Sequence, residues 1–122
     1  MTVRGFFVQP NTPVIQITLG SGYGVQRPYV VLDTGFTGDL QVTPQIAQEL
    51  NLIVTGVTPV RTATGDVANL PTANAIVSME GITNYVQVLI SRGFPLAGIS
   101  FLVKFRYRAV VDYYGTVLLE RV

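Results

Sequence analysis

Apolar residues return at every second position through most of this chain, a rhythm that suits strands and not helices. In "PVIQITLG", Ile15, Ile17 and Leu19 alternate with Gln16 and Thr18 before Gly20 ends the run, the pattern of a strand with one buried face. "GSGYG" reads as a hairpin loop. "VQRPYVVLD" follows as a second strand whose Tyr29 to Leu32 stretch is apolar on both faces, so it belongs in the middle of a sheet. Pro28 limits ladder bonding at its start. "VTGVTPVRTA", "GDVANLPTANAIVSM" and "ITNYVQVLIS" supply three further extended runs, divided at "TGD" and "MEG", where Gly suits a tight turn.

Two segments break the rhythm. In "TPQIAQELNL", Thr43 can cap a short helix that starts at Pro44 and places Ile46, Ala47 and Leu50 on one face. "GISFLVKF" predicts a second short helix, and "RAVVDYYGTVLLERV" a terminal hairpin turning near Tyr114 and Gly115. With no repeat, linker or low-complexity tract, residues 1–122 read as one all-β domain with one or two short helices, closed into a barrel.

Composition removes whole classes of chemistry. The chain has no Cys and no His, which excludes thiol and Ser-His-Asp catalysis, disulfides and the commonest metal ligands. An enzyme without a cofactor must then take its acid-base groups from carboxylates, Tyr or the single Lys, Lys104. Eight basic residues against seven acidic give a net charge of +1, with no basic stripe for nucleic acid. No motif for a metal or nucleotide is present, so no cofactor is expected. No apolar run reaches the length of a signal peptide core or a membrane span, and a cytoplasmic protein is the expectation. The 48% apolar content with 12% charge is high for a small monomer and is consistent with burial between subunits.

One carboxylate stands out. In "PYVVLDTGFTGDL", Asp33 ends an apolar run, where an unpaired charge would be costly. Thr34, Gly35, Thr37 and Gly38 follow with hydroxyls, exposed N–H groups and the room for a sharp turn. As a bare tripeptide, Asp-Thr-Gly arises by chance in roughly one chain of this length in fifty, and Asp often braces a turn. The context is more specific: "YVVLDTG", then a hairpin, then "FPLAG".

That ordered set resembles the retropepsin-like aspartic proteases, over about residues 15–119, and "DTGFTGDL" with its helix looks more like bacterial and archaeal members than viral ones. The resemblance implies a closed retropepsin-like barrel and a homodimer, because the chain holds one Asp-Thr-Gly where the reaction needs two Asp. It implies catalysis by Asp33, with Thr34 reaching across the two-fold axis and Gly35 presenting its N–H. A local turn bond is the other role open to Thr34. It implies a substrate-binding flap over residues 57–79 with "TATGD" at its tip, so that Thr64, Gly65 and Asp66 face a peptide or protein substrate. Leu96, Ala97 and Gly98 would complete the floor beside Phe36. Phe36 departs from the Ser of pepsin-like enzymes, and activity at mildly acidic to neutral pH is expected. Asp66 could favour a basic substrate side chain, or be a solvated turn residue. Asp39 could contact substrate or cap a turn; Asp112 belongs to the terminal hairpin, and Tyr113 and Tyr114 to packing. "MTVRGFF" and "GTVLLERV" are apolar enough to interleave in a dimer sheet. Two further readings stay open: a dimeric peptide-binding module of the same fold with little turnover, and an unrelated ligand-binding barrel in which Asp33 braces a turn.

Overall fold

The computed structural model describes residues 2–8, 11–61 and 64–122. Along the chain run β1 (Thr2–Arg4), β2 (Phe6–Val8), β3 (Thr12–Gln16), β4 (Thr18–Ser21), β5 (Gly24–Gln26), β6 (Tyr29–Leu32) and β7 (Leu40–Val42), then helix α1 (Pro44–Glu49). Next come β8 (Val54–Arg61), β9 (Val67–Met79), β10 (Ile82–Ile90), β11 (Leu96–Ala97), helix α2 (Ile99–Phe105), β12 (Tyr107–Val111) and β13 (Val117–Arg121).

The alternation around Ile15 is real but serves two strands. Ile15, Ile17 and Leu19 are all buried, yet β3 pairs with β6 while β4 pairs with β9. The run changes partners at Ile17, whose N–H goes to the Pro28 carbonyl at 3.1 Å. The "VQRPYVVLD" run divides likewise, at Arg27 and Pro28, into β5 and β6, because a Pro nitrogen cannot continue a ladder. Two hairpins follow the expected turns. Gly22 and Tyr23 join β4 to β5, and Glu80 and Gly81, both at positive φ, join β9 to β10.

The large sheet runs β2-β3-β6-β11-β7-β10-β9-β4-β5, with β8 added on β9. The sheet is a curled half-barrel of the retropepsin-like kind, with β2 and β5 at opposite ends of the path and no pairing between them among the described residues. The Thr43 hydroxyl caps α1 by accepting the Ile46 N–H at 3.2 Å, with Pro44 in the first turn. Helix α2 buries Phe101 and Phe105, their rings 4.9 Å apart, in the core cluster. Burial of each such ring is worth about 2–3 kcal/mol.

β13 is the middle strand of a small sheet, between β1 and β12. The chain ends therefore pair with each other, Thr2 opposite Glu120 and Arg4 opposite Leu118. Interleaved ends in a dimer would need the outer edge of β1 or β12, because both edges of β13 are occupied; Met1 lies outside the described residues. Asp112 closes the terminal hairpin as expected, its Oδ1 accepting the N–H groups of Tyr114 and Thr116. Tyr113 and Tyr114 pack only on each other, 86% and 81% exposed. Among the described residues, no helix is long and apolar enough to cross a membrane.

Candidate functional site

Strand β11 sits between β6 and β7, parallel to the first and antiparallel to the second. Since β6 and β7 are consecutive in the chain, the loop joining them, residues 33–39, must pass over the end of β11. Three backbone hydrogen bonds tie the loop there: Asp33 N–H to the Ala97 carbonyl at 3.0 Å, Gly98 N–H to the Asp39 carbonyl at 3.0 Å and Ile99 N–H to the Phe36 carbonyl at 2.9 Å. A loop held at both ends in this way keeps its side chains fixed relative to the sheet.

Within it, Asp33 turns back on itself. Its carbonyl accepts the Phe36 N–H at 3.1 Å, and its Oδ1 accepts the Gly35 N–H at 2.9 Å. The second oxygen, Oδ2, takes no hydrogen bond among the described residues and is free for an incoming group. Asp33 is half-buried and Thr34 beside it is exposed. The Thr34 hydroxyl makes no hydrogen bond among the described residues, so the local turn bond considered for it does not form.

Asp33 opens onto a groove of about 560 Å³. Gly35, Phe36, Thr37 and Gly38 form one wall, and Gln41, Gln87, Leu89 and Leu96 the floor. The β8 residues Thr58, Pro59, Val60 and Arg61 form the other side. β8 is held by its ladder to β9 and by Thr58, whose hydroxyl lies 2.6 Å from that of buried Thr72. A second cavity, about 280 Å³ beside Tyr23, Ile53 and Tyr85, is lined by no carboxylate among the described residues.

The residues expected to bind substrate divide into two sets. Phe36 and Leu96 line the groove with Asp33 and Gly35. Ala97 and Gly98 are buried beneath the loop and support it. Thr64, Gly65 and Asp66 stand exposed at the tip of the β8–β9 hairpin, outside the groove lining, with the Thr64 hydroxyl on Asp66 at 3.3 Å. Thr62 and Ala63 of the same tip lie outside the described residues. Sequence reasoning missed Gln41 and Arg61. The signal for Gln41 was a polar residue between Leu40 and Val42, both fully buried on the opposite face.

Asp39 faces the interior, not the groove. It is 5% exposed, and its Oδ2 accepts from Lys104 Nζ at 2.6 Å and from the Gln87 N–H at 2.8 Å. Its Oδ1 is buried without a hydrogen bond of standard geometry, the Ser100 hydroxyl being the nearby donor. Burial pushes the carboxyl up, but the hydrogen bonds from Lys104, Ser100 and Gln87 outweigh it and hold Asp39 below the ordinary carboxylate range. The pair fastens the far end of the loop to α2.

Lys104→Met would leave that carboxylate buried and unpaired. The Lys side chain is 39% exposed, so the penalty falls below that of a fully buried pair, at about 2 kcal/mol. A carboxyl whose folded value is depressed contributes stability above its unfolded range and loses it as pH falls through the folded value. Chemical unfolding of the two proteins should therefore show the widest gap at neutral pH and a narrowing one in acid. A gap that does not change with pH would mean the Lys stem, not its charge, matters here.

No protein-family profile and no curated protein matches the chain. Solved structures do. A retropepsin-like aspartic protease from Rickettsia conorii matches with a TM-score of 0.66 at 16% identity, covering 99% of this chain and 90% of that one. The EIAV protease complexed with the inhibitor HBY-793 matches with a TM-score of 0.66 at 14% identity, covering 86% of this chain and 98% of that one. The fold is retropepsin-like, as the sequence resemblance implied.

Proposed function

We propose that residues 1–122 form a single retropepsin-like domain that acts as a homodimeric aspartic endopeptidase, cleaving peptide bonds with water activated by two Asp33 carboxyls, one from each chain. The observation that carries this reading is the groove itself. Among the described residues, Asp33 is its only carboxylate, its Oδ2 takes no hydrogen bond, and no other lining residue can serve as a base near neutral pH. One carboxylate can be base or acid at a given moment, and amide hydrolysis needs both. A two-fold axis beside Asp33 would supply the second group from the same sequence. The exposed Thr34 hydroxyl next to it, which makes no hydrogen bond among the described residues, supports that arrangement, because it would be available to bond across such an axis.

Two carboxyls in contact would share one proton, since two adjacent negative charges repel strongly, as in aspartic proteases generally. The ionised member takes a proton from water while the water oxygen bonds to the scissile carbonyl carbon. The protonated member gives its proton to the carbonyl oxygen. The resulting diol collapses as the amide nitrogen takes the proton that the first carboxyl removed from water, a diol hydroxyl returns a proton to the other carboxylate, and the C–N bond breaks, releasing amine and acid. The β8–β9 hairpin would act as the flap, pairing strand-like with an extended substrate.

A peptide-binding module with this fold would keep the groove and lose the turnover. Incubating random-sequence peptides with the protein and its Asp33→Asn variant, with and without the transition-state mimic pepstatin, separates the two. Cleavage that is blocked by pepstatin and lost in the variant supports the peptidase. Binding without cleavage supports the module.

A further inference from the structure

Only two charged residues line the groove among those described, Asp33 on the loop and Arg61 at the end of β8. Arg61 is exposed and belongs to neither of the ion pairs in the described structure, which join Lys104 to Asp39 and Arg108 to Glu120. Among the described residues its guanidinium makes one hydrogen bond, from Nη1 to the Gly65 carbonyl at 3.1 Å. That bond steadies the side chain on its own hairpin while leaving most of a five-donor fork unused. Asp66, the acidic residue nearest in sequence, is turned to Thr64 and does not line the groove. Among the described residues, the part of the hairpin that lines the groove therefore offers substrate a positive group and no negative one.

We infer that Arg61 sets the specificity of the groove toward substrates with an acidic side chain under the β8–β9 hairpin. This rests on the peptidase reading, and with a two-fold dimer it extends to both sides of the scissile bond, each half presenting its own Arg61. A planar guanidinium pairs with a carboxylate through two parallel hydrogen bonds, which neutral Gln cannot match and Lys opposes. The expected sign is opposite to the preference for basic residues that Asp66 would have given.

The test takes one peptide that the protein cleaves and remakes it with Glu, Gln or Lys at each position flanking the scissile bond. At one position or a symmetric pair of positions, kcat/KM for Glu should exceed that for Gln by about fivefold, the size of a partly exposed ion pair. The advantage should shrink in high salt. Arg61→Glu should reverse it in favour of Lys, and Arg61→Gln should abolish it, with circular dichroism confirming that both variants fold. Equal rates for Glu and Gln at every position would overturn the inference. Binding of the same peptides to the Asp33→Asn protein separates the two readings. A Glu preference in binding, with no cleavage by the wild type, keeps the Arg61 assignment and sinks the peptidase. Equal or absent binding of all peptides overturns the Arg61 assignment.

Discussion

On the peptidase reading, Asp33→Asn should lower peptide cleavage by roughly 10²- to 10⁴-fold, the range for removing a general acid-base group, and leave the chain folded. The fold survives because what holds the loop is backbone. The Asp33 N–H bond to Ala97 and the Phe36 N–H bond to the Asp33 carbonyl do not involve the side chain. The one side-chain bond, from the Gly35 N–H to Oδ1, can be kept by the oxygen of an amide of the same shape. What disappears is the ability to take a proton from water. The loss should fall on kcat with little change in KM, since the groove walls are untouched. A thermal midpoint close to the wild type should accompany it. Cleavage at the wild-type rate would remove Asp33 from the chemistry and leave a turn carboxylate.

Gly98→Ala should do the opposite, damaging the fold first and activity as a consequence. Gly98 has φ −106° and ψ −172°, extended backbone that any residue adopts, so conformational freedom is not why Gly is there. Space is. An added Cβ would stand 2.3 Å from the Gly38 carbonyl oxygen and 2.4 Å from that of Phe36. Both are backbone atoms of the Asp33 loop, so no rotamer change relieves the contact and the loop must lift from β11. Overpacking of this kind costs about 3 kcal/mol, a fall in Tm of roughly 10 °C for a domain of this size. The Phe36 carbonyl also accepts the Ile99 N–H, so the displacement would loosen α2 and the Asp33 loop together. Gly56→Ala is the control: a Cβ there meets nothing within 4 Å. Equal midpoints for the two variants would show that the loop yields without penalty.

Much of this was legible because it is local. The Thr43 cap, the strand alternation and the left-handed turn at Glu80 and Gly81 depend on residues within a few positions of one another, and pattern reading captures such features. Asp33 could be singled out because a charge at the end of an apolar strand needs neighbours that solvate it. Partner choice is not local. Nothing in "PVIQITLG" marks Ile17 as the point where one run leaves β6 for β9, and nothing in "PLAG" shows that two residues wedge between β6 and β7. Closure of the barrel is not local either, since strand periodicity fixes faces and not which edges meet. Neither role open to Asp39 in the sequence, substrate contact or a turn cap, points to its pairing with a Lys 65 positions away. Arg61 is not legible because turn chemistry in "TATGD" marks the hairpin tip, whereas the groove is lined by the strand leading to it.

The account stands or falls on two Asp33 carboxyls acting as a pair. The direct measurement holds the wild-type chain constant, adds increasing amounts of the Asp33→Asn chain, allows subunits to exchange and follows peptide cleavage. If the site needs one Asp33 from each chain, mixed dimers are inactive, and a ninefold excess of the variant should cut activity to about a tenth. Activity that stays constant across the titration, with exchange into mixed dimers confirmed, would show that one chain suffices and would contradict the account.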